Sequence, residues 1–201
     1  MNMVEKIKRT KKEIAFEERM TKQRAKRGFC DRDTWAVDYW FCKTISPMLR
    51  QLAREKQGFQ TLDEKGDYVD VELLTEEDYD LYDKRWTDSL LRMAFLADEM
   101  NEETCSMKNP FDKDYHRIHR SFEKRYGFMG QKLRTEEERE EEETTGRFRV
   151  HFPDEDPVHG KEYKAVMDQY FGYQRKIEDY REQCKNEFFA LFSKYFHSLG
   201  D

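Results

Sequence analysis

Few residue sets in this 201-residue chain have the types and spacing that chemistry requires. His116 and His119 lie three apart on a stretch with helical periodicity, one turn after Asp112, and an i,i+3 pair of imidazoles can chelate a metal ion. No H-E-x-x-H pattern and no third ligand accompanies them, so His119, beside Ile118 and Phe122, reads as a core-edge histidine. Asp31, Asp33 and Asp38 form an acidic set, but their spacing fits no calcium loop, which needs further oxygens and a Gly at set offsets. Asp31 and Asp33 are better used as helix caps. Asp38 follows Trp35 by three and precedes Cys42 by four, between two apolar stripes. That spacing predicts a buried acid in need of a partner: an Arg, a Trp N–H or a Tyr hydroxyl. It serves either as a satisfied bridge between helices or as a ligand or catalytic group. The chain carries no nucleophile motif, Gly-rich phosphate loop or paired-acid signature. The reading is therefore a non-catalytic protein with no cofactor and no metal. The catalytic alternative is a metal-assisted hydrolase using Asp38 with His116 and His119.

Charge is unevenly placed. Residues 1–27 carry ten Lys/Arg, among them Lys6, Lys8, Arg9, Lys11 and Lys12, against four Glu. That is a formal +6 within a net charge of −6, so the remainder sums to −12. A basic arm on an acidic body suits either docking on that body or contact with nucleic acid or another partner. The acidic residues concentrate in Glu136, Glu137, Glu138, Glu140, Glu141, Glu142 and Glu143, followed by Asp154, Glu155 and Asp156. They read as solvated surface or, more sharply, as phosphate mimics that occupy a basic groove on a partner.

These groups need elements to hold them. Charged residues make up 40% of the chain and aromatics 14%, which points to helices with a narrow aromatic core rather than a disordered polyelectrolyte. Residues 1–27 form a basic helix or arm. Residues 28–134 form a helical core: a helix capped at Asp31 or Asp33 running to about Lys56 with Pro47 inside it, a second from Thr75 to about Asn101, and a third begun by Asn109–Pro110 and ended by Gly127. Residues 135–157 read as an acidic linker or loop: 135–145 has no apolar side chain to pack and is solvated or disordered, with a helical start as an option, and 147–152 alternates in a strand-like way, Phe148, Val150 and Phe152 against Arg147, Arg149 and His151. Residues 158–201 read as one long helix whose apolar positions recur every three to four residues. The class is all-α, a bundle of about four core helices with a basic N-terminal helix and a long C-terminal helix. The predicted core contains Trp35, Tyr39, Cys42, Ile45, Leu49, Trp86, Leu90, Met93, Phe122, Ile177, Cys184, Phe188 and Leu191. Cys42 and Cys184 read as buried free thiols, which favours a reducing cytosol. The charged start and the lack of a long apolar run predict neither a secretory leader nor a membrane span.

The stretch RGFCDRDTWAVDYWFCKTISPMLRQL, Arg27–Leu52, resembles R-G-[FY]-x-D-x-D-x-W-x-x-D followed by an apolar stretch and Pro. That pattern resembles an uncharacterised family of small proteins encoded by bacteriophages and prophages. The closing FFALFSKYFHSLGD resembles the family's end, which often carries Leu-Trp-Asp, with Gly200 here in place of the Trp. The resemblance implies a phage product acting in the bacterial host cytoplasm and implies no functional residue. The expected function is a non-catalytic protein that binds and inhibits a host nucleic-acid or defence machine as an acidic competitor, an anti-defence role. Alternatives are a helical pocket for a small nucleotide or signalling molecule, the hydrolase above, and a phage assembly factor that forms homo-oligomers through the C-terminal helix. The expected partner is a host protein or nucleoprotein, with direct nucleic-acid contact through the basic arm as an option.

Overall fold

The computed structural model describes residues 10–61 and 67–200, and the fold is all-α. Its helices are α1 (Lys11–Arg27), α2 (Val37–Glu55), α3 (Glu76–Glu99), α4 (Asp112–Tyr126), α5 (Glu136–Thr145) and α6 (Gly160–Tyr195), joined partly by short 3-10 turns. Among the described residues no strand forms beyond an isolated bridge at Tyr68, and the 147–152 segment has no ladder. Lys6, Lys8 and Arg9 lie outside the described residues. No described helix is long and apolar enough to cross a membrane.

The chain separates into two compact units. The first holds Met1–Thr104 with Cys184–Asp201, the second Cys105–Gln183. The sequence divides the chain at 27/28, 134/135 and 157/158. The acidic stretch is not a boundary, because two of its Glu side chains are fixed within the second unit, as described below.

In the first unit, Cys42, Ser46 and Leu49 make the buried stripe of α2. Tyr82, Trp86, Leu90, Met93 and Ala97 make the corresponding stripe of α3, at spacings of four, four, three and four. The end of α6 contributes a ladder of aromatics. Phe41 meets Phe188 edge-on at 5.7 Å and Phe192 edge-on at 6.1 Å, and Trp86 meets Tyr195 at 5.2 Å. Arg92 pairs with Glu187 through two parallel hydrogen bonds, each 2.7 Å. Most of the predicted core is buried, with Tyr39, Ile45 and Leu191 half-buried.

Two expectations fail here for one reason. Trp35 is 90% exposed rather than in the core, and Asp38 faces solvent rather than the interior. A single helix from Asp31 would align Trp35, Asp38 and Cys42. Instead Asp31–Trp35 forms a 3-10 turn, Ala36 leaves helical geometry at φ −144° and ψ 62°, and α2 starts at Val37. The break resets the helical phase. Asp38 becomes a first-turn acid of α2, where negative charge opposes the positive end of the helix dipole.

The second unit centres on Ile118, Phe122 and Tyr163, with Tyr126, Leu133, Val166 and Met167 packed against them. α4 begins at Asp112 rather than at Pro110. Asn109 caps the preceding turn by accepting from the Phe111 N–H at 3.0 Å, and its own amide donates to the Tyr170 carbonyl at 2.9 Å. Gly127 ends α4, as expected, at φ 80° and ψ 179°, outside the left-handed helical well of the usual glycine cap. α6 starts at Gly160 rather than Val158, and Gly172 does not interrupt it. Its 36 residues span about 54 Å at 1.5 Å per residue. The four cysteines are buried and unbridged.

Candidate functional site

α5, EEEREEEETT, has no apolar residue, and repulsion along it opposes helix formation. Local and nonlocal bonds counter that. Thr135 and Glu138 form a capping box: the Glu138 N–H donates to the Thr135 hydroxyl at 3.2 Å and the Thr135 N–H donates to the Glu138 carboxylate at 2.9 Å. Gly146 closes the other end in the left-handed conformation, donating to the Glu142 carbonyl at 2.9 Å.

Glu138 and Glu142, one turn apart, face the body of the unit. The Arg134 guanidinium, nearly buried, pairs with Glu142, donates to the Arg149 carbonyl at 3.2 Å and lies 4.7 Å from the centre of the Phe148 ring. His151 is buried between two carboxylates, with Nδ1 2.7 Å from Glu155 and Nε2 3.2 Å from Glu138. Arg149 bridges the same pair, 3.2 Å from Glu138 and 3.4 Å from Glu155. The Thr135 N–H, His151 and Arg149 together hold the Glu138 carboxyl below its usual range. Backbone packing locks this node: the His151 N–H donates to the Met129 carbonyl at 3.2 Å. A Cβ on Gly130, at φ +66°, would sit 2.6 Å from the His151 Cβ.

Asp156 departs furthest from expectation. The sequence groups it with the surface acids, yet its side chain is fully buried. It accepts from the backbone N–H groups of Val158 (2.8 Å) and His159 (3.0 Å), from the Tyr126 hydroxyl (3.2 Å) and from Arg125 (2.9 Å). Burial pushes its pKa up, but the His159 and Val158 amides, Tyr126 and Arg125 outweigh burial and leave it lowered. Asp156 is thus the anchor for the start of α6.

The acidic set therefore divides. Glu138, Glu142, Glu155 and Asp156 have internal partners. Glu136, Glu137, Glu140, Glu141, Glu143 and Asp154 face solvent. The result is a helical carboxylate face on a fixed support, with one cation, Arg139, among its exposed residues.

The other described residues that the sequence singles out have separate surroundings. His116 is exposed, 3.5 Å from Asp112. His119 lies under Tyr115 with ring centroids 4.3 Å apart; its Nε2 is buried without a hydrogen-bond partner, and burial lowers its pKa. Asp38 belongs to the first unit and both histidines to the second. Among the described residues no three His, Cys, Asp or Glu side chains group as metal ligands would. Asp31 and Asp33 do not cap α2. They tie its preceding turn to α1: Arg24 donates to Asp33 twice, at 3.0 and 2.6 Å, Gln23 donates to Asp31 at 2.7 Å, and Arg27 pairs with Asp31. Arg24 holds Asp33 well below the usual carboxylate range. Lys11 and Lys12 sit exposed in the first turn of α1.

Sequence reasoning missed the His151 node, reading residues 147–152 as an unpaired strand. The usable signal was a histidine and an arginine flanked by acids at 138 and 155, too remote in sequence to pair without the fold. The chain matches no protein-family model, no curated protein and no solved structure.

Proposed function

We propose that this chain is a non-catalytic binding protein that presents the outward carboxylates of α5, with Asp154, to a basic groove of a host nucleic-acid or defence machine. The single observation behind this reading is the division of the acidic run: two glutamates are fixed by Arg134, Arg149 and His151, so five others project from a rigid helix. Preorganised like charge costs folding stability and strengthens association with an opposite surface. The phage resemblance of Arg27–Leu52 fits an inhibitor working in the bacterial cytoplasm. Affinity capture from a bacterial host tests it, comparing the wild-type chain with a variant carrying Gln at 136, 137, 140, 141 and 143. Capture of a nucleic-acid-binding protein by the wild type, its release by added DNA and its loss with the variant support the reading. Equal capture by both chains refutes it.

A second reading, a self-associating assembly factor, is favoured by Phe189 near the end of the long helix and Phe196 in the 3-10 turn that follows it, each about half exposed. Light scattering that finds only a monomer at high concentration rejects it.

A further inference from the structure

α1 carries a surface that the acidic-face reading does not use. At 3.6 residues per turn, Lys12, Arg19 and Lys26 recur every seven residues and fall within about 40° of one another. Lys22 flanks them, and Ala15, Glu18, Arg19, Lys22, Gln23 and Lys26 line a shallow hollow along the helix, with Glu18 on the far side of Lys22, about 80° or more from the stripe. These cations are separate from the two that fix the helix in place, since Arg24 and Arg27 are engaged by Asp33 and Asp31. Glu13 and Glu17 fall at least about 100° away from the stripe by the same geometry, and Glu13 is occupied by the Thr10 capping box.

Aromatic faces accompany the cations. Phe16 and Phe29 are both partly exposed, under Arg19 (5.3 Å) and Arg27 (4.7 Å) respectively. Trp35 ends the turn that α1 holds through Gln23, Arg24 and Arg27, and among the described residues it is the most exposed of the large apolar side chains. Its backbone support is well fixed. The Cys30 N–H donates to Asp33 at 2.8 Å, and the Thr34 hydroxyl donates to the Asp31 carbonyl at 2.7 Å. The indole N–H of Trp40 reaches the Gly28 carbonyl at 3.4 Å. An indole kept in water on a fixed turn, next to a helix with a cation stripe, has the two components of single-strand recognition: charge for the backbone and a π-face for a base.

We infer that the α1 stripe and Trp35 together bind single-stranded nucleic acid, Lys12, Arg19 and Lys26 tracking phosphates and Trp35 stacking on a base. An acidic protein segment would use the cations but leave Trp35 without a planar partner. An anionic membrane would need a broad apolar face beside the stripe, whereas α1 buries only Met20 and carries few apolar residues.

The test is fluorescence anisotropy of a labelled 20-nucleotide oligo-dT with the full chain at about 50 mM salt. Binding is expected to weaken steeply with salt, because each phosphate contact releases a counterion. Trp35→Ala should weaken it roughly 5- to 100-fold. The triple change Lys12→Glu, Arg19→Glu, Lys26→Glu should abolish it and flatten the salt slope. All four positions are exposed, so unchanged circular dichroism melting establishes that the variants fold. Gln at the five outward α5 positions should not weaken oligonucleotide binding, which separates this surface from the acidic one. No binding at low salt, binding indifferent to both sets of changes, or retention on phosphatidylserine vesicles without oligonucleotide binding would overturn the inference.

Discussion

Replacing Asp156 by Ala removes a fully buried carboxylate from two backbone N–H groups, a tyrosine hydroxyl and a guanidinium. Losing a helix-start acceptor of this kind costs about 1 kcal/mol, and a hydrogen bond to a buried charge about 1.5–3 kcal/mol. These contributions overlap, so about 2–4 kcal/mol is expected for the second unit. Asp156→Asn keeps an acceptor for the two amides and should lose roughly half as much. With a urea slope of about 2–3 kcal/mol per M, the midpoint for Asp156→Ala should fall by about 1 M. Hydrogen exchange should place the loss in residues 105–183. The pH dependence has a definite sign. The folded-state pKa of Asp156 is lowered, so its contribution is complete above the unfolded value near 4 and is lost as pH falls below that. Wild type and Asp156→Asn should therefore converge in stability as pH drops from about 4. An Asp156→Ala protein within about 0.5 kcal/mol of wild type at pH 7 would refute the anchoring role.

Further outcomes follow from burial and backbone geometry. Trp35→Ala should leave the melting temperature unchanged, whereas Trp86→Ala, in the core beside Tyr195, should cost about 3–5 kcal/mol by urea denaturation. Gly130→Ala forces a side chain into a positive-φ site 2.6 Å from the His151 Cβ and should destabilise by about 1–3 kcal/mol. Gly172→Ala, in open space within α6, should stabilise by about 0.5–1 kcal/mol, and the pair read by thermal melts gives opposite signs. Arg24→Ala should speed amide exchange along α1 while leaving α3 protected, because Arg24 holds α1 to Asp33. Acidification should do the same to wild type. Asp33 has a lowered pKa, so its hold is complete above about pH 4 and fades as pH falls below that.

The all-α class was legible because apolar spacing survives in α3 and α6: Trp86, Leu90 and Met93, or Ile177, Cys184 and Phe188, lie inside as their periodicity requires. Gly28 and Thr75 punctuate helices for local reasons, so they too could be read. The misplacement of Trp35 and Asp38 came from extrapolating one helical phase across Ala36, where a 3-10 turn resets it. Asp156 was hidden because its partners Arg125 and Tyr126 are about thirty residues away, and composition assigns any Asp beside Pro157 to the surface. α5 was hidden for the reverse reason. A run of glutamates predicts solvation, and nothing local reveals that Arg134, Arg149 and His151 engage one of its faces. The candidate site was thus legible in its composition, while its shape depends on bonds between residues remote in sequence.

The central claim is that the outward carboxylates of α5 occupy the groove where a partner holds nucleic acid. The most direct measurement is a competition titration on the captured partner, with its nucleic acid fluorescently labelled and the chain added at physiological salt. Mutually exclusive binding is expected: complete displacement by the wild-type chain, and at least tenfold weaker displacement by the variant with Gln at 136, 137, 140, 141 and 143. A ternary complex in which the partner holds the nucleic acid and this chain together would contradict it.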